Sequence, residues 1–156
     1  MTVSAQDDYL QSIDKSQFST APYARRVEKP WGWEIHFVTD DLPYMGKMIH
    51  LDEGKRWSLQ VHDQKQESWF LADGQIICYF ENADGVLEEF EMQRDVGYTA
   101  QLGQRHRFKG GKGGGTVFEV STPEIGTTYR LEDDYNRPNE TEELRQYRNE
   151  NLSDAR

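Results

Sequence analysis

The sequence predicts an all-β fold, a sandwich or barrel of short strands, on three observations. From Trp33 to Ser121 the chain is built of short runs rich in β-branched and aromatic residues, interrupted by turn residues. Asp73-Gly74 and Asp84-Gly85 are hairpin-turn signals, because both residues tolerate the positive φ that tight turns demand. Aromatics are 12% of a chain that is only 35% hydrophobic, so a modest number of large side chains must supply the burial, which suits a small barrel.

Residues 1–26 are polar, with Tyr9, Leu10, Ile13 and Phe18 spaced loosely as on a short helix. They are expected to form an arm that packs on the barrel or on a neighbouring subunit. Strands are expected at 33–39, 44–51, 57–62, 67–72, 75–81, 86–92 and 116–121. The run Gly110-Gly111-Lys112-Gly113-Gly114-Gly115 lacks the Gly-Lys-Ser/Thr ending and the following helix of a phosphate loop, and reads as a flexible hairpin tip. After Pro138, Asn139 with Glu142 three residues later reads as an N-cap and capping box. It opens a helix through Glu143, Leu144, Tyr147 and Arg148. The expected division is an arm over 1–26, a barrel over 27–138 and a C-terminal helix and tail over 139–156. At 156 residues and 18.2 kDa the chain suits one domain with a real core.

A formal charge of −10 opposes binding to a nucleic-acid backbone or an anionic membrane surface. Small ligands remain open, since a pocket can carry local charge opposite to the net. The single Cys78 lies in the apolar run Ile76-Ile77-Cys78-Tyr79-Phe80, which makes it a buried strand residue and leaves no disulfide within one chain. No basic-then-apolar leader starts the sequence and no apolar run approaches a membrane span, so the expected location is the cytoplasm.

The chemistry concentrates between Gly54 and Gly74, with His106 beyond. Gln60 and His62 are two apart and share one face of a strand. Glu67 follows a short turn through Asp63, Gln64 and Lys65, close enough to fold back beside them. His106 follows the tight turn Leu102-Gly103-Gln104-Arg105, which could bring a fourth donor from a distant strand. Imidazole, carboxylate and amide together suit one divalent transition metal, Zn, Mn, Fe, Co or Ni, better than Mg or Ca. Lys65, two before Glu67, faces the same interior if the strand begins early, where a cation could hold a sugar hydroxyl, a phosphate or a developing enediolate oxygen. Trp69, two beyond Glu67, is expected to face inward, while Trp31, Trp33 and Trp57 are packing. His36 and His50 are structural or pocket-lining.

The stretch from Gly54 to Gly74 resembles the first conserved motif of the cupin superfamily, with Gln60 in place of its first histidine. The turn ending in His106 is similar to the second, with Leu102 near the usual proline. Further blocks narrow the resemblance: Lys29-Pro30-Trp31-Gly32-Trp33-Glu34, Ser58-Leu59-Gln60-Val61-His62, Glu67-Ser68-Trp69, and the run from Glu119 to Arg137. In order, over residues 27 to 138, they look like the cupin domain of type II mannose-6-phosphate isomerases and their small stand-alone relatives. Glu67-Ser68-Trp69 stands where that family often has Glu-His-Trp, and Asn136 where it often has glycine.

The resemblance implies a cupin double-stranded β-helix, a jelly-roll barrel, with Gln60, His62, Glu67 and His106 as metal ligands. It adds Lys47 and Arg137 as substrate contacts beside Trp69, gives Lys65 a catalytic place, and implies a homodimer. The leading function is a metal-dependent isomerase of a sugar or sugar phosphate, acting through an enediol with Glu34, His50, Lys65 or Glu119 as base. Two other classes stand beside it: another metal-dependent cupin enzyme (dioxygenase, lyase or epimerase) and a non-catalytic sugar-binding cupin.

Overall fold

The structure, a computed structural model, describes residues 4–152. The elements run α1 (Ala5–Ser12), β1 (Arg25–Lys29), β2 (Gly32–His36), β3 (Met45–Leu51), β4 (Leu59–His62), β5 (Glu67–Glu81), β6 (Leu87–Glu91), β7 (Gly97–Ala100), β8 (His106–Ser121), β9 (Thr128–Glu132) and α2 (Glu142–Leu152). The sheet is antiparallel and curled, in the order β1-β2-β3-β8-β4-β9, with β5 pairing β6, β7 and β8.

β5 and β8 are the spine. They pair from Glu67↔Ser121 to Phe80↔His106, and both bend in the middle. The register shifts between Leu71 and Asp73 and again between Gly74 and Ile76, opposite the glycine run of β8. Gly74 has φ +71, and a Cβ there would lie 2.4 Å from the Gly114 carbonyl oxygen. Only glycine lets the two backbones approach so closely while one takes a left-handed turn.

Two expectations are therefore corrected. Asp73-Gly74 is a bulge inside one 15-residue strand, not a hairpin between two, and residues 110–115 are the bent middle of β8, not a hairpin tip. A bulge and a turn both need positive φ, so the residues alone do not separate them. Asp84-Gly85 does turn the chain, with Asn82 N–H donating to the Val86 carbonyl and Gly85 at φ +76.

β1, β7 and β9 were not expected, and β1 crosses residue 26. Val27 is the only aliphatic residue of β1, which is otherwise charged, and it pairs with Glu34 on β2. In α2 the cap is Thr141, whose Oγ1 accepts from Leu144 N–H at 3.2 Å. Asn139 instead accepts from Arg130 N–H. The α1 helix has the Ser4–Asp7 capping box and no buried residue, so it does not pack on its own barrel as a helix face would.

Inside the barrel, side chains form rows across strands. Ile49, Val117 and Leu71 make one apolar row and continue into Trp57, Ile76, Cys78 and Phe108. Burial pushes the Cys78 thiol up to about 12, so it packs as an apolar group. The row beside it, His36, Lys47, Glu119 and Trp69, is polar and equally buried. Among the described residues no helix is long and apolar enough to cross a membrane.

Candidate metal centre

The alternation of β4 turns Gln60 and His62 to the same side. β5 opens with Glu67, and β8 opens with His106 opposite Gln60. His62 Nε2 lies 2.6 Å and His106 Nε2 3.0 Å from the same oxygen, Glu67 Oε1. His62, Glu67 and His106 each offer one ligand-type atom, all within 4.8 Å of one another, and all three residues are buried.

The outer ring nitrogens set the roles of the inner ones. His106 Nδ1 is 2.9 Å from the Gln104 carbonyl oxygen, which only accepts, so Nδ1 carries the hydrogen and a neutral ring keeps its Nε2 lone pair for the centre. His62 Nδ1 is 2.8 Å from Thr128 Oγ1, a hydroxyl able to accept the ring hydrogen and leave Nε2 its lone pair. A histidine lone pair and a carboxylate oxygen then face each other at contact distance, an arrangement that a shared cation satisfies. Gln60 places its amide nitrogen 3.3 Å from His62 Nε2, with Oε1 accepting from Ser58 Oγ at 2.8 Å. A half-turn of that amide would point Oε1 at the same centre. The donor set fits a divalent transition metal.

Beside this cluster runs a buried chain of charges. Lys65 Nζ is 2.8 Å from Glu67 Oε2, 3.1 Å from Glu119 Oε1 and 3.2 Å from Glu124 Oε1. Burial pulls its pKa down, but Glu119, Glu124 and Glu67 outweigh that and hold it well above the usual lysine value. Lys47 also meets Glu124, at 3.0 Å, and approaches Glu34 at 3.9 Å. Burial pushes Glu34 up, yet Lys47, a hydrogen bond from His36 and Lys29 bring it down to about 2. Arg25, which only donates, sits 3.1 Å from His36 Nδ1, so that nitrogen accepts and Nε2–H donates to Glu34 Oε2 at 2.7 Å.

Gln60, His62, Lys65, Glu67, Trp69 and Glu119 line one cavity of about 1030 Å³, and Lys47 and Arg137 reach it too. His106 lies behind it, fully buried, its ring 5.3 Å from that of Trp69. Trp69 faces inward and donates from Nε1 to Glu119 Oε2 at 2.9 Å. Arg137 is clamped by Asp133, with Nη2 at 2.6 Å from Oδ1 and its guanidinium over the Tyr135 ring. Of the four candidate bases, Glu34, Lys65 and Glu119 face the cavity. His50 does not: it stacks on Trp33, bonds Thr116 Oγ1 and lies apart from the site. Glu124 has no role in the sequence reading, although it joins both lysines. The signal was present in β2, where Glu34 and His36 alternate inward with the apolar residues outward, the reverse of a strand over an apolar core.

No protein-family model and no curated protein sequence matches the chain. Solved structures do match in shape. An oxalate decarboxylase from Lactobacillus farciminis, in a formate complex, is 19% identical, with 76% of this chain aligned to 38% of that one at a TM-score of 0.61. An oxalate decarboxylase from Bacillus subtilis is 16% identical over 70% of this chain and 30% of its own, at 0.58. KdgF from Halomonas sp. is 13% identical over 65% of this chain and 89% of its own, at 0.55. The chain thus spans well under half of either decarboxylase. All three neighbours are cupins. With its curled antiparallel sheet, two long bent strands and a C-terminal helix, the chain has the cupin jelly-roll fold.

Proposed function

We propose that the protein is a metal-dependent cupin enzyme that isomerises a sugar or sugar phosphate between aldose and ketose through an enediol. One observation carries this reading: His62 and Glu67, with His106 behind them, open on the cavity that holds the Lys65–Glu119 pair, and Lys65 touches both sides. His62, Glu67 and His106, with Gln60 after its amide turns, would hold one divalent transition metal. Bound there, it would polarise the substrate carbonyl and acidify the neighbouring C–H.

The remaining chemistry belongs to the chain. Glu119, held by Trp69 Nε1 and Lys65, would take a proton from one carbon and return it to the next, while the hydroxyl proton passes from one substrate oxygen to the other. Lys65 supplies a buried positive charge for the developing oxyanion, already oriented by three acids. The size of the cavity supports a substrate larger than a two-carbon acid, near the upper end of ordinary small-molecule sites. Oxalate decarboxylase, by its name, acts on a dicarboxylate. Here the floor sets four carboxylates, Glu34, Glu67, Glu119 and Glu124, against two lysines, Lys47 and Lys65, which suits a neutral group better than a second pair of carboxylates.

The test is a panel of pentoses, hexoses and their phosphates with metal-loaded protein in heavy water. Isomerisation should place deuterium on the carbon next to the carbonyl, and Lys65→Met should lower the rate far more than the metal content. No turnover of any member rejects the isomerase. Dioxygen consumption with iron would then indicate an oxygenase, and metal retention without turnover a binding protein.

A further inference from the structure

The cavity is electrically unlike the rest of the chain. Overall 18 basic residues stand against 28 acidic ones, yet the cavity is lined by eight of each. They are also segregated. Lys47 and Lys65 sit at the floor among Glu34, Glu67, Glu119 and Glu124, while the other six basic residues are at the walls and mouth with Asp40, Glu140, Glu142 and Glu150. Such polarity suits a ligand with a neutral end at the floor and an anionic end outside it.

Three arginines gather on one wall. Arg130 stands on β9 directly across from Gln60 on β4, next to the metal cluster. Arg145 and Arg148, three apart, share a face of α2. Thr128 and Glu140 exchange two backbone hydrogen bonds of 2.9 Å and dock the start of that helix against β9. Glu140 is the one carboxylate that both Arg130 and Arg148 meet, and Arg145 donates to the Gly126 carbonyl. Arg130 also donates to the Pro138 carbonyl, and Glu142 and Glu150 of α2 line the same cavity. Arg130 Nε is buried with no hydrogen-bond partner, an orphaned donor in the cavity wall. Burial and the charges of Arg137 and Arg148 all weigh against the charge on Arg130. A bound anion would relieve both penalties.

We propose that Arg130, Arg145 and Arg148 form an anion subsite that holds a phosphate-type dianion at the far end of the substrate. Guanidinium forks match phosphate oxygens, and the unpartnered Arg130 Nε is a buried donor that such an oxygen would satisfy. Arg137 is outside the subsite because Asp133 already occupies its fork. The proposal rests on the reading of the cavity as a substrate site, and makes the phosphorylated sugar the ligand of choice over the free sugar.

Calorimetric titration of the full chain with inorganic phosphate, glucose 6-phosphate and glucose tests it. Each is run on the wild type and on His62→Ala stripped of metal, so that anion binding at the metal cluster is told apart from binding at the wall. Phosphate and glucose 6-phosphate should bind both proteins. Arg145→Gln/Arg148→Gln should weaken both anions by about tenfold or more and leave glucose unchanged. Arg145→Lys/Arg148→Lys, which keeps the charge and guards against misfolding, should recover part of the loss. Equal affinity in the wild type and the Gln variant, binding lost on metal removal, or no anion binding by the folded wild type would each overturn the subsite. None of these results touches the metal cluster, whose own test is metal content.

Discussion

Replacing Lys65 by Met keeps the side-chain length and removes the charge that three buried carboxylates share. Glu67, Glu119 and Glu124 approach Lys65 Nζ at 2.8, 3.1 and 3.2 Å, and Lys65 is 6% exposed. Removing one partner of a buried ion pair costs about 3–5 kcal/mol, because the other charge stays buried and unpaired. Here three acids are left facing one another, though Lys47 still answers Glu124. For a domain of this size that loss corresponds to a fall of roughly 10 °C in Tm. The assay is urea unfolding at pH 7 of the chelated wild type and Lys65→Met, with Lys65→Met/Glu119→Gln as the third member. The double variant should be more stable than the single one, since it removes one of the stranded charges. A loss below about 1 kcal/mol in Lys65→Met, or a double variant less stable than the single, would refute the charge network.

Glu34 makes stability depend on pH. Its folded pKa of about 2 lies below the ordinary 4.5, so its contribution is complete above 4.5 and disappears as pH falls towards 2. The difference is worth on the order of 3 kcal/mol, and the gap between wild type and Glu34→Gln should shrink from pH 5 to pH 3; a gap independent of pH would contradict it. Gly74→Ala should cost roughly 2–4 kcal/mol, because its Cβ would meet the Gly114 backbone, whereas Gly54→Ala, at φ +72 with nothing within 4 Å, should cost about 1 kcal/mol in the same denaturant series. The protein is expected to be a homodimer, since Tyr9, Leu10 and Phe18 of the arm, Phe37 just after β2, and Phe70 and Phe118 on the sheet are exposed. Deleting residues 1–20 should weaken association in sedimentation, and a concentration-independent monomer mass for the intact chain would reject this.

What the sequence made legible, and what it hid, follows from how local each signal is. Gln60 and His62 could be placed because period-two alternation needs no knowledge of the partner strand. The inward turn of Trp69 followed from Glu67 by the same rule. The β-rich class was visible for a related reason, in short runs between turn residues. The length of β5 and β8 was not, because Gly74, Gly113 and Gly114 have the same positive φ in a bulge as in a turn, and only the facing backbone decides. β1 was hidden by its charged residues, which lie at the edge of the sheet where only one neighbour constrains them. Lys65 could be turned inward by its spacing from Glu67, but the acids that hold it there, on β8 and the loop after it, come from distant parts of the chain. Glu124 and the arginines of α2 joined the site through register and docking, which no local spacing encodes.

The central claim is that His62, Glu67 and His106, with Gln60, hold one divalent transition metal. Elemental analysis of the purified protein, before and after dialysis against chelator and reloading, tests it most directly. Wild type should carry or take up one ion per chain, while His62→Ala/His106→Ala keeps the β-sheet circular dichroism spectrum and retains none. Full metal occupancy in the folded double variant, or a wild type that stays empty after reloading with each of Zn, Mn, Fe, Co and Ni, would contradict the account.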